Sequence, residues 1–104
     1  MTEVFDFNEL SGLSYEERHK NVLYKTDDFK IRVIDLPENG SMPECHMETH
    51  VVFVNMQGQV DITVNGQVHR LSEKQSLASE PAVFSMKTIK GAKLMGIQIT
   101  KTEK

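Results

Sequence analysis

The chain has little that would reveal its role by composition alone. Tryptophan is absent and cysteine occurs once among 104 residues. Cys45 therefore has no internal disulfide partner, which agrees with a reducing compartment. Neither charge sign dominates: the formal net charge is −3, with acidic and basic residues interleaved. This predicts no basic surface for nucleic acid or anionic lipid. No apolar run approaches the length that crosses a bilayer, and the opening Met1-Thr-Glu-Val-Phe-Asp-Phe lacks a basic region followed by an apolar core. The expectation is a cytoplasmic protein with no nucleic-acid or membrane partner.

What is present describes an ordinary globular domain, with 38% hydrophobic and 26% charged residues. The length suits one core without staples and predicts a single domain over 1–104. Ser14 and Glu17 have the spacing of a capping box, and Tyr15, His19 and Val22 recur behind them at helical intervals. One short helix is predicted over 14–23, with His19 on its solvated surface. Val22-Leu-Tyr-Lys and Phe29-Lys-Ile-Arg-Val-Ile-Asp-Leu read as strands around an Asp27-Asp28 turn. In the second, Lys30 and Arg32 alternate in phase with Ile34 and Leu36, so one face switches from polar to apolar midway.

Pro37-Glu-Asn-Gly-Ser is a loop by composition. Further strands are predicted near 43–49, 51–56, 59–64, 67–71, 82–88 and 92–99. Asn65-Gly66 suits a type I′ hairpin turn, Lys90-Gly91 suggests another, and 100–104 is a polar tail. Many short strands with one peripheral helix predict an all-β fold, a small antiparallel β-barrel or sandwich, with residues 1–28 as an N-terminal arm. Val51-Val-Phe-Val breaks alternation and implies burial on both faces. A homodimer is the expected cover for the outer face, and the N-terminal segment is the alternative.

The stretch from Gly40 to Gly66 carries the chemistry. His46, Glu48 and His50 stand at alternate positions, and side chains two apart on a strand share a face. Two imidazoles and a carboxylate form a familiar ligand set for divalent transition metals. The alternative places Glu48 and His50 on a solvated rim, with His46 as a hydrogen-bonded pocket residue. His69 is a candidate cross-strand ligand if it faces inward. Cys45 alternates out of phase with His46, so the two take opposite faces. Met42, Met47, Met56, Met86 and Met95 read as core filling or as an adaptable apolar pocket.

Over residues 29–99 the pattern resembles the cupins, small β-barrels also described as jelly rolls. Gly40, five residues and His46 match the opening of their first motif, Gly-x5-His-x-His-x3–4-Glu-x6-Gly, and Gly58 matches its end. Counted from Gly40, the paired histidines fall on His46 and Glu48. Counted back from Gly58, they fall on Glu44 and His46, with Val51 at the glutamate. Of the second motif only Pro81 remains, and Ser85 takes the histidine position. The resemblance implies a barrel that binds a small molecule, with Glu44, His46 and Met56 as ligand-binding residues. It also implies a divalent metal (Fe, Mn, Ni or Zn), for which the alternating His46, Glu48 and His50 are the candidate ligands. An enzyme of this kind would be a dioxygenase, isomerase or decarboxylase-like protein; a binding module without the metal is the other expectation.

Overall fold

The computed structural model describes residues 2–10 and 21–99. Its strands are β1 Val22–Lys25, β2 Phe29–Leu36, β3 Ser41–Met47, β4 His50–Gly58, β5 Val60–Val64, β6 Gln67–Leu71, β7 Ser76–Ser79, β8 Ala82–Lys87 and β9 Ala92–Ile99. They form two sheets with antiparallel pairings, one in the order β1-β2-β9-β4-β7 and the other β3-β8-β5-β6. From β2 onward the chain passes repeatedly from one sheet to the other, which is the topology of a jelly roll. The predicted helix over 14–23 lies largely outside the described residues, and from Val22 onward the chain is in β1.

The predicted strands recur within two residues at each end, while β7 is an addition. Ser76-Leu-Ala-Ser is four residues long and has only one large apolar side chain, too little for an alternation signal. Asn65 and Gly66 join β5 to β6 with φ of 48° and 86°, the pair of positive values that a type I′ turn requires.

Between the sheets lies a core in which Leu36, Val51, Phe53, Ala92 and Leu94 face Met42, Val60, Ile62, Leu71, Ala82, Phe84 and Met86. Phe53 and Phe84 meet edge to face across it, with ring centroids 5.6 Å apart. Burying a large side chain of this kind stabilises the fold by about 1.5 to 3 kcal/mol. The strand 51–54 packs on both faces as expected, with Val51 and Phe53 in the core and Val52 and Val54 half-buried behind it.

The outer face of the larger sheet is apolar too. Val33 is only 2% exposed yet stands outside the inner cluster, because it shares the outer face with Met95 and Val54. Part of this face is covered by the N-terminal arm. Lys93 Nζ donates to the carbonyls of Phe7 and Leu10, and the Phe5 ring meets Tyr24, which stacks on Phe29.

Candidate functional site at the mouth of the barrel

One irregularity in β3 decides which side chains enter the interior. Met42 pairs with Met86 and is buried, so unbroken alternation would turn Glu44 and His46 inward after it. Instead Met42 opposes Met86 and Cys45 opposes Phe84, three residues on β3 against two on β8. That extra residue is a β-bulge, and it reverses the phase of everything beyond it. It falls at Pro43-Glu44, and the proline, which lacks a ladder donor, is tolerated here because β3 is an edge strand. Cys45 and Met47 consequently face the interior, opposite the buried Phe84 and Ala82.

The expected site residues do not share one face. Glu44 and His46 are exposed, and His46 pairs with Val83 on the outer face of the smaller sheet. Glu48 is exposed in the turn after β3, and His50 is exposed opposite Ile99 on the outer face of the larger sheet. Side chains on two different outer faces cannot converge. Among the described residues, no group of three or more His, Cys, Asp or Glu is placed to hold a metal ion. Met56 is half-buried at a second register irregularity, in β4, on the other sheet from Glu44 and His46.

The metal that the resemblance implies does not fit the residues present. The interior positions two apart on β3 are Cys45 and Met47, and the position with six residues between it and Gly58 is Val51. A thiol and a thioether beside a valine do not make the nitrogen and oxygen set that iron, manganese, nickel or zinc takes in such sites.

What the interior does offer lies on the opposite wall. Register aligns Lys25, Lys30, Gln98, Val51 and Ser79 in one row across all five strands of the larger sheet. The next row inward holds Arg32, Gly96, Phe53 and Leu77. Because Val51, Phe53 and Leu77 pack into the core, both rows face the interior. They lie at the end of the barrel where the turns at 26–28, 48–49, 65–66 and 80–81 gather. Arg32 Nε donates to Gln98 Oε1 at 2.9 Å, passing beside Gly96, which has no side chain to obstruct it. Burial, together with the charges of Arg32 and Lys25, holds the Lys30 ammonium below its ordinary pKa. In the β3–β4 turn at this end, Thr49 buries a hydroxyl that has no hydrogen-bond partner among the described residues.

A cleft of about 790 Å³ opens along the flank, where the edge strands β6 and β7 part. Val64, His69, Leu71, Leu77 and Ser79 are among its lining residues. His69 is opposite Ile62, which places it on the interior side of the exposed strand β6. Ser79, at the edge of the larger sheet, stands in the same row as Lys30, three strands away. The sequence carried the signal for Lys30 and Arg32 in the face switch of β2; for Ser79 it carried none.

No family model matches the sequence, and no curated protein matches it. Solved structures do. The cupin domain of Schizosaccharomyces pombe Cnp3 superposes with TM-score 0.71 and 21% identity over 77% of this chain and 62% of that one. A cupin superfamily protein from Desulfitobacterium hafniense gives 0.72 and 17% over 77% and 74%. KdgF from Halomonas gives 0.69 and 12% over 78% of each chain. These likenesses show the fold: this chain is folded as a cupin. Among the described residues, no helix is long and apolar enough to cross a membrane.

Proposed function

We propose that this protein is a small-molecule-binding cupin domain that works without a metal in its barrel. The observation that supports this reading is the phase reversal at Pro43, which fills the interior of β3 with Cys45 and Met47 and leaves His46 outside. The space available is the flank cleft of about 790 Å³ between β6 and β7, mixed apolar and polar, the scale on which proteins hold small organic ligands.

Elemental analysis of protein purified without an affinity tag tests the reading. The expected result is no stoichiometric iron, manganese, nickel or zinc, together with a thermal shift on adding small organic acids. His46→Ala is expected to change stability by no more than about 0.5 kcal/mol, as for an exposed surface side chain. Stoichiometric metal that disappears in His46→Ala would instead establish the metal site at His46, Glu48 and His50. A homodimer remains part of the proposal, using the outer face of the larger sheet. Light scattering at micromolar concentration supports it at twice the chain mass and removes it at the chain mass.

A further inference from the structure

Both walls of the flank cleft are strand edges. β6 ends one sheet and β7 ends the other, and Val68, Arg70, Ser76 and Ala78 all line the space between them. Hydrogen-bonded and non-bonded pairs alternate along antiparallel strands, so the register shows which backbone groups point to a free edge. The Asn55 N–H donates to the Gln75 carbonyl, which makes Phe53–Leu77 and Val51–Ser79 the bonded pairs that follow. Ser76 and Ala78 therefore turn their N–H and carbonyl groups away from β4, toward the cleft. On the other wall the two-residue turn makes Val64–Gln67 a bonded pair, with Ile62–His69 next, so Val68 and Arg70 present theirs. Rows of such groups are a template for another strand.

The other edges are blunted. β1 has a register break and ends on Lys25, β3 has Pro43 and its bulge, and β6 carries Arg70. β7, Ser76-Leu-Ala-Ser, pairs in unbroken register and has neither charge nor proline. Its shortness is the one safeguard it keeps, and that limits what can bind. Two copies pairing through β7 would meet over four residues each, against the roughly 20 to 30 a side of a stable interface. A flexible segment can instead enter the cleft and use its floor as well as its edge. Charge narrows the choice further. Among the described residues, Arg70 is the only Asp, Glu, Lys or Arg that lines the cleft, and Asp61 holds it at 2.8 and 3.3 Å. The cleft therefore suits an uncharged chain.

We infer that the flank cleft receives an extended, uncharged segment of another polypeptide, which adds to β7 as a sixth strand of the larger sheet. Its backbone pairs with Ser76 and Ala78, and alternate apolar side chains point into the cleft toward the half-buried Val64 and Leu77. Val68, 58% exposed on the facing rim, gives the segment a further apolar contact. Four residues of β7 span about 13 Å, so the segment needs four or five residues in the extended form. This rests on the reading above that the cleft is where the domain binds, and it names the chemistry bound there: a peptide backbone with apolar side chains at every second position.

The test is an NMR titration of the full ¹⁵N-labelled chain with the pentapeptide acetyl-Thr-Val-Thr-Val-Thr-amide and with the same peptide N-methylated at every residue, which keeps the side chains and loses the donors. The expected result is that the first peptide shifts the amides of residues 76–79 and binds about tenfold or more tightly than the second, the effect of about two lost hydrogen bonds. Ala78→Pro removes the N–H that faces the cleft and leaves the bonds to β4 in place, a position where an edge strand tolerates proline. It is expected to weaken the first peptide to the level of the second with little change in melting temperature. If that variant does not fold, the pair of peptides still decides. Equal binding of the two peptides, or shifts confined to Val68 and Arg70, would overturn the added strand on β7. A dimer of the free chain that Ala78→Pro abolishes would give this edge to a second copy and overturn it as well. Small organic acids that shift Leu71 and Leu77 where the peptides shift nothing would overturn it and leave the binding module standing. No shift with acids or peptides would overturn both.

Discussion

Asn55 is a polar side chain with 0% of its surface exposed, and its amide explains why it is there. Nδ2 donates to the carbonyls of Gly58 at 2.8 Å and Leu71 at 3.2 Å, linking β4 of one sheet to the end of β6 in the other. Its backbone N–H and carbonyl hold Gln75 and Lys74, so one residue anchors the whole 72–75 loop. Asn55→Ala leaves buried carbonyls unpaired and is expected to cost about 2 to 4 kcal/mol, read as a lower urea midpoint with unchanged slope. Asp61 makes a different, solvent-screened contribution. Arg70 donates to it through Nε at 2.8 Å and holds its carboxyl below the usual carboxylate value of 3.8. A depressed folded pKa means that the unfolded chain binds the proton first. The stabilisation is therefore present above the unfolded value and lost as pH falls through the folded one. Melting temperatures from about pH 6 to about pH 3 are expected to fall more steeply for the wild type than for Asp61→Asn, by a small margin because both groups are near water. Neither role was legible in the sequence. Asn55 stands inside an apolar run, and nothing local shows that its partners lie 3 and 16 residues away.

At the level of elements, turns and strands were legible because their causes are local, whereas side-chain direction in β3 was not. Asn65-Gly66 announces its hairpin by residue type alone. The face of His46 depends on one extra residue at Pro43, whose meaning appears only when β8 is laid alongside. Proline inside a predicted strand was the available signal, since such prolines mark edges and bulges. Two glycines then separate conformational demand from space. Gly66 has φ of +86° with nothing within 4 Å of a would-be Cβ, so Gly66→Ala pays only backbone strain, about 1 kcal/mol. Gly58 has φ of +79°, and its Cβ would fall 2.1 Å from the Gly91 carbonyl oxygen, on the backbone that starts β9. Gly58→Ala is therefore expected to cost at least about 3 kcal/mol, and chemical denaturation of the two variants side by side checks the ordering. Glycine closed the first motif of the resemblance at this same position, and the structure supplies the reason: β4 crosses Gly91 too closely for any side chain.

At the scale of the molecule, the two faces of the larger sheet pose different problems. The inner face is solved by the second sheet, apart from the charged mouth. The outer face carries Ile31, Val33, Val52, Val54, Met95 and Ile97, a contiguous apolar surface of the kind that associates when uncovered. Val33 is as buried as the core while its neighbours on this face are half-buried, so the surface is covered in part, and among the described residues the arm of 2–10 is held beside it by Lys93 and by the Phe5 and Tyr24 rings. Deleting the first ten residues is expected to remove about 2 kcal/mol of apolar burial, with a fall in melting temperature of roughly 10 °C. The same deletion bares part of the sheet, so the truncated chain is expected to show a higher mass by light scattering than the full chain at equal concentration. An arm that merely rests on the surface would leave both readings unchanged.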